Sequence, residues 1–498
     1  MNQGTAKRPG LAPPLALFAF LCVVGILSCL AAILAAGTIL FFDWRPWLLL
    51  LTPTIPLGVG LLLLVLANTQ IALCGIAFAI CPLGIVQAEI AGITLNLPEV
   101  LILVFAAKEG LLFLLRRQRV AKALPWTGLL AYVVAAAIGI HTGMTRGNGL
   151  IAVLQDCRQF TEFLVLYLIV VQCVTGRRQI KQILVCYCLG ALVLAVHGIA
   201  ERFTNVGIPL NQVLSDAVYH GGTRSGSFYG ATPLGGLLVL TIGGLAALIL
   251  STHSRPRRIA LGLCSAVCLT AIVFTNTRAS WIALLFAFLL IIFSIRKTPG
   301  LLLALSVGAL VFSLTLGSLV VARMSKLEFS KGERSLLERV DYYTVAWYIF
   351  RDYPLRGLGW GAHYTRSDVL ANKRFVPRPK SKEIMARLTA DESTVHSAYL
   401  QLIAKTGLLG LGGFLIFLGN WVRRVFRERL LEKRDELDHN LCVALAAGIL
   451  GYLLHSGFEN FFQWPVMSQS FYLLLGLSTV ALYKLLTQGN LSAQPGGT

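Results

Sequence analysis

Residues 389–410 read TADESTVHSAYLQLIAKTGLLG: an acidic, hydroxyl-rich stretch that turns into an apolar helix, with His396 where one becomes the other. The apolar part, taken as 395–421, has at least the roughly 20 residues a helix needs to cross about 30 Å of hydrocarbon. The seam is therefore read as a point where the chain enters a membrane. The same change from polar to apolar recurs along the chain, beginning with LAPPLALFAFLCVVGILSCLAAILAAGTIL at 11–40. That first run is longer than a signal-peptide core and has no small-residue cleavage site, so it is expected to be a retained helix.

Composition agrees. Of 498 residues, 56% are hydrophobic and 13% charged, and the mean hydropathy is +0.73. Soluble domains carry about a quarter charged residues, so the expected class is all-α, a polytopic transmembrane helical bundle of about 12–14 spans. The spans are placed at 14–40, 47–66, 71–89, 98–115, 125–141, 157–174, 182–200, 230–251, 258–275, 280–295, 301–322, 395–421, 441–457 and 468–486. The 11 Cys fall in or beside apolar runs, so they read as small buried residues and not as disulfides or metal ligands.

The formal charge of +20 would suit a nucleic-acid partner in a soluble protein. In a membrane protein its distribution matters more, because basic clusters between helices report orientation and anionic-lipid contact. Lys7 and Arg8, Arg116 to Lys122, Arg177 to Lys181, Arg255 to Arg258, Arg296 and Lys297, and the stretch from Arg423 all fall on one side of a consistent path. Placing them in the cytoplasm puts both termini there, makes membrane lipids partners and gives nucleic acid no role. The chain then divides into N-terminal helices (1–95), core helices with short outer loops (96–322), a large outer loop (323–394), C-terminal helices (395–486) and a cytoplasmic tail (487–498).

The large loop holds 14 Lys and Arg against nine Asp and Glu. Within it, SLLERVDYYTVAWYIFRDYP has helix grammar. Ser335 and Glu338 fit a capping box, Leu336, Val340, Tyr343, Trp347 and Phe350 share a face, and Pro354 stops the run. LRGLGWGAHY then supplies glycines for a tight, backbone-exposed turn.

Three outer-face positions can carry chemistry. Arg224, in TRSGSFYG, and Arg278, in TNTRASW, precede inward-running helices, where guanidinium and helix N–H groups together suit a diphosphate. His396 opens the helix after the loop. Imidazole, with an ordinary pKa of about 6.5, is the side chain best matched to taking a proton from a sugar hydroxyl near neutral pH. Asp391 and Glu392 stand within one or two turns, placed to orient that ring or bind acceptor hydroxyls. Competing readings are headgroup contact for the arginines and an interfacial role for the histidine. No HExxH or His/Cys cluster marks a metal site. Lys108 and Glu109 lie inside a span, where ionisable groups are costly. Being consecutive, they are expected to need separate partners.

This constellation resembles the O-antigen ligase and O-antigen polymerase superfamily, bacterial membrane glycosyltransferases of the C-type fold class, over roughly residues 95–485. The resemblance rests on Arg224 with Gly235 after ten residues, the TNTRASW turn, AWYIFRDYPLRGLGWGAHY in a large loop, and His396 with Gly407 after ten residues. Thr277 replaces the usual Ser before the turn arginine, and Ser397 replaces the usual Asn after the histidine. The resemblance implies a metal-independent, inverting transferase in the inner membrane that needs no cofactor and works at the periplasmic face. Its donor would be a glycan on undecaprenyl diphosphate held by Arg224 and Arg278. Its acceptor would be a lipid A core or another glycan, deprotonated by His396. The rival class is a transporter or flippase of lipid-linked oligosaccharide, which would show internal repeats and midplane polar sites.

Overall fold

The computed structural model describes residues 68–90, 93–115, 126–204, 227, 229–294, 343, 346–361, 396–429 and 436–485, all within the compact unit Asn68–Thr498. The expected spans at 14–40, 47–66 and 301–322 lie outside these residues. So do the tail, most of the large loop with its Ser335–Glu338 cap, and the candidates Arg224, Asp391 and Glu392.

Among the described residues the architecture is a bundle of eleven long helices, with a short one at 346–352, in chain order: α1 (Thr69–Leu83), α2 (Leu97–Leu115), α3 (Trp126–Thr145), α4 (Leu150–Cys173), α5 (Arg177–Thr204), α6 (Ala231–Leu250), α7 (Arg255–Thr275), α8 (Arg278–Ser294), α9 (Ala398–Arg429), α10 (Glu436–His455) and α11 (Pro465–Val480). Each coincides with one of the eleven remaining expected spans. Seven are long and apolar enough to cross a membrane, so the protein is a multi-pass, all-α membrane protein as its composition requires.

One expected span is shorter than its apolar run. With Pro82 in its last turn and Gly84 just after, α1 stops at Leu83. Residues expected to continue the helix instead form β1 (Gln87–Ile90), which pairs antiparallel with β2 (Ile93–Asn96), Gln87 opposite Asn96 and Ile90 opposite Ile93. The ribbon delivers the chain to a capping box at the start of α2. Asn96 Oδ1 accepts the Glu99 N–H at 2.8 Å, and Glu99 Oε2 accepts the Asn96 N–H at 2.7 Å. Glu99 also pairs with Arg158 of α4 at 3.3 Å, and Gln469 of α11 donates to Asn96 at 3.1 Å, so this buried network ties three helices together.

Helix directions follow from which residues meet. Gly128 near the start of α3 packs on Phe417 late in α9, and the 139–143 end of α3 approaches the early turns of α9, so the two run antiparallel. Gly243 of α6 and Gly448 of α10 pack backbone against backbone, the small-residue contact by which membrane helices approach closely. One end of the bundle thus gathers the starts of α4, α6, α8, α9 and α11 with the ends of α3, α5, α7 and α10. The opposite end carries basic residues: Arg177 pairs with Asp438 at 3.1 Å, Lys181 donates to the Ser251 carbonyl, and Arg424 lies over the Tyr483 ring. Lys108 and Glu109 are also towards that end. They have the separate partners expected, Lys108 lying over the Phe105 ring and Glu109 accepting from Thr69 at 2.6 Å, and they also pair with each other at 3.6 Å.

Candidate active site

The site is built around a break in α9. Gly407 adopts φ 63°, ψ −159° inside an otherwise helical run. Breaking a helix in hydrocarbon strands backbone groups that water cannot reach, so each needs a protein partner. The 354–359 stretch supplies them. Leu358 and Gly359 N–H groups donate to the Ala404 and Lys405 carbonyls at 2.9 and 2.8 Å, while Leu408 and Leu409 N–H groups donate to the Pro354 and Leu355 carbonyls at 2.8 and 3.2 Å.

The glycine-rich turn expected to be exposed is therefore buried and wedged between α3 and α9. A Cβ on Gly359 (φ 85°) would lie 2.3 Å from the Gly143 nitrogen, so only glycine lets these backbones meet. Trp360, 1% exposed, locks the wedge: its indole N–H donates to the Ala136 carbonyl at 2.9 Å, and its ring packs on Phe160. Asp156 of α4 closes the arrangement. It accepts the Gly361 N–H at 2.8 Å and pairs with Lys405, whose side chain is buried.

The short helix at 346–352 lies before the wedge. The expected Trp347 and Phe350 stripe does not face the core: Trp347 is 60% exposed, and Ala346 and Ile349 are buried against Leu358 and Ala404. The Gly359–Lys405 and Leu358–Ala404 bonds hold the following turn on α9, and Ala346 and Ile349 pack in the same cluster as Leu358 and Ala404. Tyr343 does point inward, donating to the His396 carbonyl at 3.2 Å.

His396 sits at the mouth of α9 with its side chain 43% exposed, and its Nδ1 is 3.5 Å from a carboxylate oxygen of Glu459, which is buried. The α10–α11 turn carrying Glu459 is bonded to the start of α9, since the Ala398 N–H donates to the Ser456 and Glu459 carbonyls at 2.9 and 3.2 Å. Ser397 caps α9 through its hydroxyl, which accepts the Leu400 N–H at 3.4 Å.

Arg278 opens α8 at the same end. Asn276 (φ 52°) ends α7 in the left-handed region, so the TNTRASW turn reverses in two residues. The Arg278 guanidinium is exposed and makes no hydrogen bond or ion pair with any described residue. Beneath it, Ser280 Oγ meets His455 Nε2 at 2.9 Å, and a Cβ on Gly235 would fall 2.1 Å from that hydroxyl. Of the stretch after Arg224, Ser227 is buried and its N–H donates to Glu201 at 2.8 Å; Tyr229 donates to the Cys81 carbonyl at 2.7 Å. Burial pushes the Tyr229 phenol well above its ordinary range and keeps it a neutral donor.

The structure thus brings His396 and Arg278 to one end of the bundle. Sequence reading missed Glu459, Lys405, Asp156 and Ser280. Each is a polar group inside or beside an apolar run, which in a membrane protein is signal enough to single it out, though not to name its partner.

A bundle of membrane-spanning helices with a broken helix and a polar, part-open mouth at one end defines a polytopic membrane protein built around a site at its surface. Residues 263–415, which contain Arg278, the glycine wedge, His396 and Gly407, match the family model described as O-antigen ligase. The match covers about a third of the chain, which in that part is similar to O-antigen ligases, and it bears out the resemblance seen in the motifs. No curated protein matches the chain.

Proposed function

We propose that the protein is an inverting, metal-independent glycosyltransferase that moves a glycan from undecaprenyl diphosphate to an acceptor hydroxyl at the periplasmic face of the bacterial inner membrane. The observation carrying this reading is His396 itself: part-exposed at the mouth of a broken membrane helix, backed by buried Glu459 at 3.5 Å, and at the same end as the exposed Arg278, which makes no ion pair with a described residue. A carboxylate opposite Nδ1 favours the tautomer protonated there and leaves the Nε2 lone pair for the substrate. The acceptor oxygen attacks the anomeric carbon as His396 takes its proton. The new C–O bond forms while the bond to the diphosphate oxygen breaks and its electron pair leaves with the diphosphate. Arg278, joined by Arg224, offsets the charge that develops there.

Asp391 and Glu392 are assigned to acceptor hydroxyls. Positive residues at the opposite end of the bundle support a cytoplasmic placement of that end. The acceptor is a lipid A core sugar, as in ligation, or a second lipid-linked glycan, as in polymerisation. The test is transfer from a defined undecaprenyl-diphosphate glycan in EDTA by the purified full chain and by His396→Ala. The expected result is transfer by the wild type, and donor binding without transfer by the variant. Full activity of a folded His396→Ala would overturn the assignment.

The break in α9 also suits a transporter, since discontinuous helices form transport sites. Here the groups freed by the break bond to 354–359, so the break seats a backbone wedge. Movement of lipid-linked glycan across proteoliposomes that survives His396→Ala would favour the transporter.

A further inference from the structure

On the α3 side of the wedge lies an open cleft of about 490 Å³, lined by His141, Thr142, Thr145 and Arg146 from the end of α3 and by 353–357. Its lining holds His141, Arg146 and Arg356, all exposed, and no carboxylate among the described residues. The nearest acidic residue in sequence, Asp352, is paired with Arg351 at 3.3 Å. Arg146 lies 4.0 Å from the centre of the Tyr353 ring, which orients its planar fork, and neither His141 nor Arg356 makes a hydrogen bond or ion pair with a described residue. The guanidinium groups of Arg146 and Arg356, with Pro354 and Leu355 in the same lining, suit an anion borne on a larger, partly apolar body.

Position decides which substrate this would be. The cleft lies beside α3, whereas Arg278 belongs to α8, which packs on α6 and α10. Tyr343, bonded to the His396 carbonyl, and Tyr353, at the cleft, lie on either side of the 346–352 helix, whose seven residues span roughly 10 Å at helical rise. A group in the cleft is thus set back from the reacting hydroxyl and away from the diphosphate.

We infer that the cleft binds a phosphate or carboxylate on the acceptor glycan, several ångströms from the hydroxyl that reacts, and so selects anionic acceptors. This rests on the transferase reading for its role but not for its test. The full chain in phosphatidylcholine nanodiscs is titrated, without donor, with a phosphorylated core oligosaccharide and with the same oligosaccharide after phosphatase treatment. The expected result is at least tenfold tighter binding of the phosphorylated form. Arg146→Gln/Arg356→Gln should lose that tenfold and bind the dephosphorylated form within twofold of wild type. Because Arg146 also holds Tyr353, Arg356→Gln alone, which removes no hydrogen bond or ion pair with a described residue, should lose at least threefold.

Equal binding of the two oligosaccharides, or equal loss of both in the variants, overturns the inference. Displacement of the phosphorylated form by phosphatidylglycerol in the disc, with phosphatidylglycerol binding lost in the double variant, also overturns it and makes the cleft a headgroup site. The two readings fail separately. Phosphate-selective binding by a protein that never transfers sugar sinks the transferase and keeps the cleft. His396-dependent transfer with no phosphate preference sinks the cleft alone.

Discussion

Gly407→Ala tests whether the wedge in α9 holds the site together. Gly407 has φ 63° and ψ −159°, a region essentially restricted to glycine, so alanine there carries strain of about 1–3 kcal/mol. Its Cβ would also lie 2.4 Å from the Leu355 carbonyl carbon and oxygen and 2.6 Å from the Arg356 nitrogen. Those are backbone atoms and cannot swing aside, so the wedge must move away. The Leu408–Pro354 and Leu409–Leu355 bonds then stretch or break, at about 0.5–1.5 kcal/mol each and more where water cannot replace them. The expected destabilisation is about 2–6 kcal/mol, a large part of the roughly 5–15 kcal/mol that holds a typical domain folded. A shift of the wedge also moves Tyr343 and the 346–352 helix against His396, and roughly 1 Å of misplacement can remove about 10²-fold of rate. The measurements are thermal unfolding in detergent and transfer from lipid-linked donor. Gly419→Ala is the control: Gly419 is exposed, in regular helix, with no atom within 4 Å of its virtual Cβ, and alanine there should be neutral or stabilise by up to about 1 kcal/mol. A Gly407→Ala protein that melts and transfers like Gly419→Ala would refute the account of the break.

Three further substitutions probe the layer under the surface. Glu459→Gln keeps the shape and removes the charge facing His396; kcat should fall about 10- to 100-fold, a fraction of the roughly 10²–10⁴ that general base catalysis supplies, with donor KM unchanged. A change confined to KM would mean that Glu459 does not act through the imidazole. Lys405→Met leaves Asp156 paired only with the Gly361 N–H and should destabilise by about 3–5 kcal/mol, whereas Lys405→Met/Asp156→Asn should recover most of that in chemical unfolding; independent, additive effects would show that the pair is not coupled. Ser280→Ala removes the hydroxyl at His455 Nε2 and should cost about 1–3 kcal/mol, with donor affinity reduced because the Arg278 turn loses its anchor; unchanged stability and affinity would show that this bond does not position the turn.

Hydropathy and charge alone determined the membrane class, the position of each described helix and the basic end of the bundle. These are properties of a segment in its solvent: an apolar run of sufficient length has no other way to satisfy its backbone in lipid. The motifs around Arg278 and His396 were legible for a related reason, since polar groups at helix ends stand out against apolar sequence. What tertiary structure decided was every pairing. Glu459 is 63 positions from His396 and Asp156 is 249 from Lys405, and no local period links them. The glycines of LRGLGWG read as an exposed turn because glycine permits both a turn and a close approach of two backbones, and only the broken α9 beside them selects the second. The 346–352 helix likewise shows its Trp347 face by period, yet buries Ala346 and Ile349 in one cluster with Leu358 and Ala404, partners that the following turn and α9 supply.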